Sequence, residues 1–226
     1  MNVIAIETAT TACAIALRVS SGEEFEAVLD DQRRHTEVLV PGIRDLLTAV
    51  GLRAKDLDRV VVDRGPGLYT GLRVGVATAI GLSLGAEAAL VSVTSLELLA
   101  HGAQRLAVRG QFVAVVDGRR GELFIQTCSL GEEVTTLGDP TLTTPEALCE
   151  EWARRGDPVT FAGDGVARYE AVFRQLTHAT LLDLRVPPPR EALGLGAAGP
   201  PEVAVAPMYL READAIANFS TRERTP

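Results

Sequence analysis

Lysine is nearly missing from this chain: Lys55 stands alone among 22 basic residues, leaving 21 arginines. It lies outside any glycine loop, so a Walker-type phosphate loop, which needs Gly-Lys-Ser/Thr, is excluded. Aromatics make up only 4% against 46% hydrophobic residues, so the interior must be built from small and aliphatic side chains. Cysteine is scarce and odd in number; Cys13, Cys128 and Cys149 are too far apart for a disulfide framework and suit a reducing, cytoplasmic setting. Positive charge is short as well. A formal net charge of −8 argues against unaided binding of nucleic acid, because phosphate neutralisation supplies most of that affinity. The arginine pairs at 33–34, 119–120 and 154–155 form no stripe, so any RNA would have to be held by another protein. The N-terminus lacks a basic segment and meets Glu7 too early for a signal peptide. A Gly-x-Ser-x-Gly elbow is also missing.

What the chain does contain is organised around residues 59–85. Val60 to Val62 is a short β-branched run of the kind found in buried strands. Gly65, Pro66 and Gly67 turn the chain sharply, and Thr70 is placed to cap a helix with apolar Leu72, Val76, Ile80 and Leu84. Gly71, Gly75, Ala79 and Ser83 run one position earlier at the same spacing, a stripe that lets another backbone come close. The glycines could serve packing alone, a phosphate loop or a subunit contact. A dinucleotide fingerprint fails on spacing, and Val91-Ser-Val-Thr-Ser supplies no acid at the end of the next strand. Val74 to Val93 carries Glu87 as its only charge, but its glycines divide it into a helix and a strand, so no membrane span is expected.

In chain order the patterns predict strands at Val3–Ile6, Ala12–Val19 and Phe25–Leu29, and a helix from His35 to about Val50. The Val60 strand, a helix over Thr70–Gly85, a strand to Val93 and a helix from Ser95 to about Gln104 follow. After Arg109 the order restarts: strands at Phe112–Val116, Glu122–Cys128 and Glu133–Leu137, then a helix from Pro145 capped by Thr144. A strand at Val159–Ala162, a helix over Val166–Leu176, a strand at Leu181–Leu184 and a short helix over Arg190–Ala198 complete it, with a frayed tail from Ser220. This βββαβαβ order, nearly twice over, predicts an α/β fold of two ribonuclease-H-like, actin-like (ASKHA) lobes, 1–108 and 109–226, the second smaller and more degenerate. Glu7 and Asp117 end the first strand of each lobe, which would put two carboxylates at the mouth of an interlobe cleft. Glu97 and His101, four apart on a helix, could hold a metal in principle.

The segments Val3-Ile-Ala-Ile-Glu7-Thr-Ala-Thr, His35-Thr-Glu37 with Pro41, Gly65-Pro-Gly-Leu-Tyr-Thr-Gly-Leu-Arg-Val-Gly75, Val93-Thr-Ser-Leu96, Val116-Asp-Gly-Arg-Arg-Gly-Glu122 and Pro207-Met-Tyr-Leu-Arg211 occur in an order that resembles the TsaB (YeaZ) family over nearly the whole chain. Glu7 in place of Asp, Leu68-Tyr69 in place of Ser-Phe, and Gly118 in place of Ala are its departures from the usual pattern. The resemblance implies a non-catalytic subunit pairing with TsaD and the ATPase TsaE, for threonylcarbamoyl transfer to N6 of adenosine 37 in tRNA. By the same resemblance ATP, a divalent metal and tRNA would engage the complex through the partners. His35–Val50 and Thr70–Gly85 would then dock on TsaD or on a second copy, with Leu39, Ile43, Leu72, Val76 and Ile80 as contact candidates. The alternative is an enzyme, an ATP-dependent kinase or a metal-dependent hydrolase using an actin-like cleft. Against it, Thr8-Ala-Thr-Thr11 lacks the glycine of a phosphate hairpin and no metal-ligand set is apparent.

Overall fold

The computed structural model describes residues 1–29 and 34–210, so Arg211 and the tail expected from Ser220 lie outside the described residues. Two mixed sheets repeat one topology. In the first, β1 (Val3–Glu7), β2 (Cys13–Arg18) and β3 (Glu24–Leu29) are antiparallel, and β4 (Arg59–Asp63) and β5 (Ala89–Val93) extend it parallel to β1, in the order β3-β2-β1-β4-β5. In the second, β6 (Gly110–Arg119) and β7 (Glu122–Leu130) are antiparallel, and β10 (Val159–Ala162) and β11 (Ala179–Leu181) continue parallel from β6. The third strand of this half is divided. β8 (Val134–Thr136) and β9 (Thr141–Thr143) pair successive stretches of β7, where one strand was expected. Gly138, at φ +129°, breaks the run between them.

Central strands are buried on both faces, and their alternation sorts side chains into separate cores. Ile4, Ile6, Val60 and Val62 face α1 (His35–Ala49) and α2 (Tyr69–Ala86) on the outer side of the first sheet. Val3, Ala5 and Val61 face α7 (Pro189–Ala198) on its other side. In the second sheet Phe112, Ala114 and Val116 meet α3 (Ser95–Arg105). Val113, Val115 and Phe161 meet Trp152 of α4 (Pro145–Arg155) and Phe173 of α6 (Glu170–Phe173). The actin-like, two-lobed expectation thus describes the sheets, but the helices cross over. α3 precedes the second sheet and packs on it, whereas α7 follows the second sheet and packs on the first. Beyond α7 the chain stays with the first sheet: Glu202 N donates to the Leu90 carbonyl, Val205 enters the core under α1 and α2, and Met208 N donates to the Arg64 carbonyl. Residues from Pro189 on therefore complete the first lobe, although chain order had assigned them to the second.

Local chemistry starts two of the helices. Thr94 Oγ1 accepts from Glu97 N and the Glu97 carboxylate reaches back to Thr94 N, a capping box that starts α3. Thr144 caps α4 in front of Pro145 as expected. Thr70 does not cap α2. The helix begins at Tyr69, its cap position is Leu68, and Leu68 N donates instead to the Ala9 carbonyl at 2.6 Å, which pins the loop to the end of β1. The helix expected over Val166–Leu176 is α5 (Asp164–Arg168) and α6, separated at Tyr169, whose φ −113° and ψ 30° are not helical. No helix among the described residues is long and apolar enough to cross a membrane.

Where α2 crosses the end of β1, the glycines are packing devices. A Cβ at Gly67, Gly71 or Gly75 would lie 2.2 Å from Ala9 O, 2.0 Å from Thr8 O and 2.1 Å from Thr8 Oγ1 respectively. Thr8 Oγ1 donates to the Gly71 carbonyl at 2.9 Å within this contact. Farther along the same helix Gly81 and Gly85 face open space, where a Cβ would meet nothing within 4 Å. Urea denaturation should separate the two sets. Gly71→Ala is expected to destabilise by about 2 kcal/mol or more through overpacking against backbone, and Gly81→Ala to stabilise by about 1 kcal/mol through helix propensity. Equal effects of the two substitutions would disprove this division of roles.

Candidate functional site

Parallel strands in this topology present their C-terminal ends to the junction between the two halves, and four carboxylates stand there. Glu7 ends β1 and Asp63 ends β4; Asp117 lies near the end of β6, and Asp164 opens α5 just after β10. The two pairs occupy corresponding places in the repeated topology. Glu7 and Asp117 were anticipated from the sequence, Asp63 and Asp164 were not. Their signal was available: Val-Val-Val-Asp63 and Phe-Ala-Gly-Asp164 follow equivalent strands.

Each carboxylate organises a loop. Glu7 Oε1 accepts from Ala9 N at 2.8 Å and Thr10 N at 3.3 Å, forming the turn that leads to β2. Asp63 Oδ1 accepts from Gly65 N at 2.7 Å, while Ser95 Oγ lies 2.9 Å from both that oxygen and the Pro66 carbonyl. Asp117 accepts from Arg119 N at 2.9 Å and is flanked by the Arg119 and Arg168 guanidinium groups at 3.1 and 3.4 Å. Asp164 Oδ1 accepts from Asp117 N at 2.9 Å, which ties the two acids of the second half together.

Electrostatics separates the halves. Glu7 and Asp63 are fully buried, and Glu7 Oε2, Asp63 Oδ2 and Thr10 Oγ1 have no hydrogen-bond partner among the described residues. Burial holds the Glu7 carboxyl well above the usual carboxylate range, with the Asp63 and Asp164 charges adding to the effect and the Ala9 and Thr10 amides opposing it. Burial likewise pushes Asp63 up to about 7 against hydrogen bonds from Gly65 and Ser95. Asp164 is pushed up to about 6, again chiefly by burial, with the Asp117 charge adding and Arg119 subtracting. The cations described here attend Asp117, and none is paired with Glu7 or Asp63.

Among the described residues no three His, Cys, Asp or Glu side chains are grouped to hold a metal. Glu97 Oε2 is engaged in its capping box, and His101 is half-buried, with its pKa lowered by that burial against the raising effect of the Glu191 and Glu97 charges. His35 Nε2 lies 3.2 Å from the Thr11 carbonyl and His178 Nε2 3.1 Å from the Trp152 carbonyl, so the three histidines stand on different elements. Around Thr8–Thr11, where a kinase of this architecture would place phosphate, the backbone is instead packed against the glycine loop of α2.

The contact candidates on α1 and α2 separate in a similar way. Leu39, Ile43, Leu72 and Val76 are all buried within the chain, and Ile80 is half-buried against the same core. The four buried residues therefore serve this protein's own interior. The apolar stripe read from the sequence was the sheet-facing one, so a partner would meet the residues between.

A family model described as TsaD, tRNA N6-adenosine threonylcarbamoyltransferase, matches residues 29–206. The tRNA threonylcarbamoyladenosine biosynthesis protein TsaB of Escherichia coli K12 is 37% identical over 169 residues, covering 73% of this chain and 72% of that protein. This chain belongs to the TsaB (YeaZ) family. The Bacillus subtilis TsaB is 25% identical over 180 residues, with 78% of this chain and 76% of that protein covered. Among solved structures, a Pseudomonas aeruginosa protein described as similar to peptidase YeaZ superposes with a TM-score of 0.78 at 26% identity, over 93% of this chain and 99% of that one. The TsaB-type fold therefore extends over both halves.

Glu7 and Asp63 give this fold a pH dependence of definite sign. Below the ordinary carboxylate range, about pH 4, folded and unfolded chains are both protonated and the groups contribute nothing. Above it the unfolded chain releases its protons while the folded chain retains them, so stability falls as pH rises through about 7, where Asp63 ionises. Melting temperature should decline across this window. Glu7→Gln, which keeps the acceptor for Ala9 N, should decline less and melt higher than the parent at pH 8. A parent curve that rises or stays flat there would contradict the placement of these acids.

Proposed function

We propose that this chain is a non-catalytic subunit that pairs with TsaD, and with TsaE in the assembled machinery, for threonylcarbamoyl transfer to N6 of adenosine in tRNA. The proposed division of labour leaves ATP, divalent metal and tRNA to the partners. The observation that carries the reading is the outer face of α2. There Ala77, Gly81, Leu84 and Gly85 are exposed in one stripe, Leu84 at 75% of its full surface, and Val40, Pro41 and Arg44 are exposed on α1. Glycines without an intrachain reason cost helix stability of about 1 kcal/mol each relative to alanine. A second helix lying against them gives that cost a use, because missing side chains let two backbones approach. The catalytic side supports the same reading by what is occupied: the strand-end acids hold turns, and the histidines stand apart.

Because Val76 is core, Val76→Asp would unfold the chain and cannot test docking. Leu84→Asp can. It is expected to abolish co-purification with TsaD while leaving the circular dichroism spectrum unchanged, and the same substitution should disperse any homodimer formed through this face. Reconstitution with TsaD, TsaE and tRNA should yield modified nucleoside only when this chain is included. Modification of tRNA or ATP turnover by the chain alone would overturn the proposal in favour of an enzyme.

A further inference from the structure

At the N-terminal end of the same α2 stripe three side chains form an ordered cluster. Tyr69 opens the helix, Arg73 lies one turn on, and Tyr209 arrives from the segment that returns to the first sheet. The tyrosine rings are 5.2 Å apart between centroids and tilted by 33°. The Arg73 guanidinium carbon sits 3.9 Å over the Tyr69 ring, and Arg73 Nε donates to the Tyr209 hydroxyl at 3.1 Å. Both rings are 47% exposed, and Arg73 is an exposed residue.

An arginine on an open surface ordinarily samples many rotamers, and ordering it costs side-chain entropy. Here one face of the guanidinium is stacked and its Nε is spent on a hydroxyl, contacts that fix the plane without neutralising the charge. The described contacts of Arg73 are with these two tyrosines, and no carboxylate is among them. What is left is the outward fork of the two terminal nitrogens, held in a set orientation. Two parallel N–H donors on a planar cation match the two oxygens of a carboxylate or of a phosphate. The surroundings favour the carboxylate. The stripe leading away from Arg73 is made of Ala77, Gly81 and Leu84, a surface for a packed helix rather than for a polyphosphate backbone, and the net charge of −8 repels nucleic acid.

We infer that Tyr69, Arg73 and Tyr209 form a preoriented receptor for an acidic side chain on the partner helix that docks along α2. This rests on the docking face proposed above and adds the polar anchor that sets its register. Tyrosine and arginine are also the residue types that dominate binding energy at protein interfaces.

The test is the affinity of the full-length chain for purified TsaD, measured at low and at high salt for the parent, Arg73→Gln, Arg73→Lys, Tyr209→Phe and Leu84→Asp. Arg73→Gln should weaken binding roughly tenfold or more and remove most of the salt dependence. Arg73→Lys should recover only part, because an ammonium lacks the fork. Tyr209→Phe, which frees Nε while keeping the ring, should fall between parent and Arg73→Gln. If Arg73→Gln binds like the parent with the same salt dependence while Leu84→Asp fails to bind, the receptor is refuted and the docking face stands. If Leu84→Asp also binds normally, the docking face itself is wrong. Normal TsaD affinity combined with weaker capture of tRNA by the assembled complex would reassign Arg73 to a phosphate and likewise refute the carboxylate receptor.

Discussion

The fold of the first lobe depends on how closely α2 is drawn onto the end of β1. Thr8 is the point of contact: its carbonyl occupies the space a side chain at Gly71 would need, its hydroxyl the space at Gly75, and that hydroxyl donates to the Gly71 carbonyl. Ala9 extends the seam by accepting from Leu68 N. Because β1 is the central strand of its sheet, this contact fixes the height and direction of α2 relative to the whole sheet. It also determines which side of the helix faces outward, and so which residues a neighbour can touch.

Beyond this seam lie the strand ends that carry the four carboxylates. In a two-lobed molecule of this topology the strand ends converge at the junction, where ligands are bound in many α/β proteins. Here the first half commits Glu7 and Asp63 to its own loops and buries them without a cation. In the second half Asp117 is neutralised by Arg119 and Arg168, and Asp164 holds the Asp117 backbone. Each of the four acids accepts a hydrogen bond from a backbone amide. A buried carboxyl that stays protonated serves in such a place, since it accepts the amides it must satisfy without carrying a full charge into the interior.

Much of this could be read in the residues. The unbroken apolar runs Val3–Ile6 and Val60–Val62, the Thr144-Pro145 start of α4 and the repeated strand–helix order all rest on local chemistry, which sequence displays directly. What escaped depends on distant partners. Apolar spacing on α2 identified a buried stripe at Leu72 and Val76 but could not say whether the covering surface was this chain's sheet or another molecule. Thr70 looked like a cap because nothing nearby shows that Leu68 N is claimed by Ala9, fifty-nine positions earlier. Asp63 and Asp164 stand out only when the two strand–helix repeats are set side by side, an alignment that neither segment suggests alone. The exchange of α3 and α7 between sheets has no local signature, since both helices carry the apolar content that either sheet would accept.

The return of residues 202–209 to the first lobe has a consequence for how the protein is made. Val205 joins the core beneath α1 and α2, Glu202 pairs with the edge of β5, and Tyr209 stacks on Tyr69 at the start of α2. The earlier half of the fold is therefore finished by a later segment of chain, with the whole second sheet emerging from the ribosome in between. Without that segment the Leu90 carbonyl and Ser92 N of β5 lose their Glu202 partners, and the core loses Val205. A chain that stopped short of residue 202 would leave that first lobe without the segment that closes it.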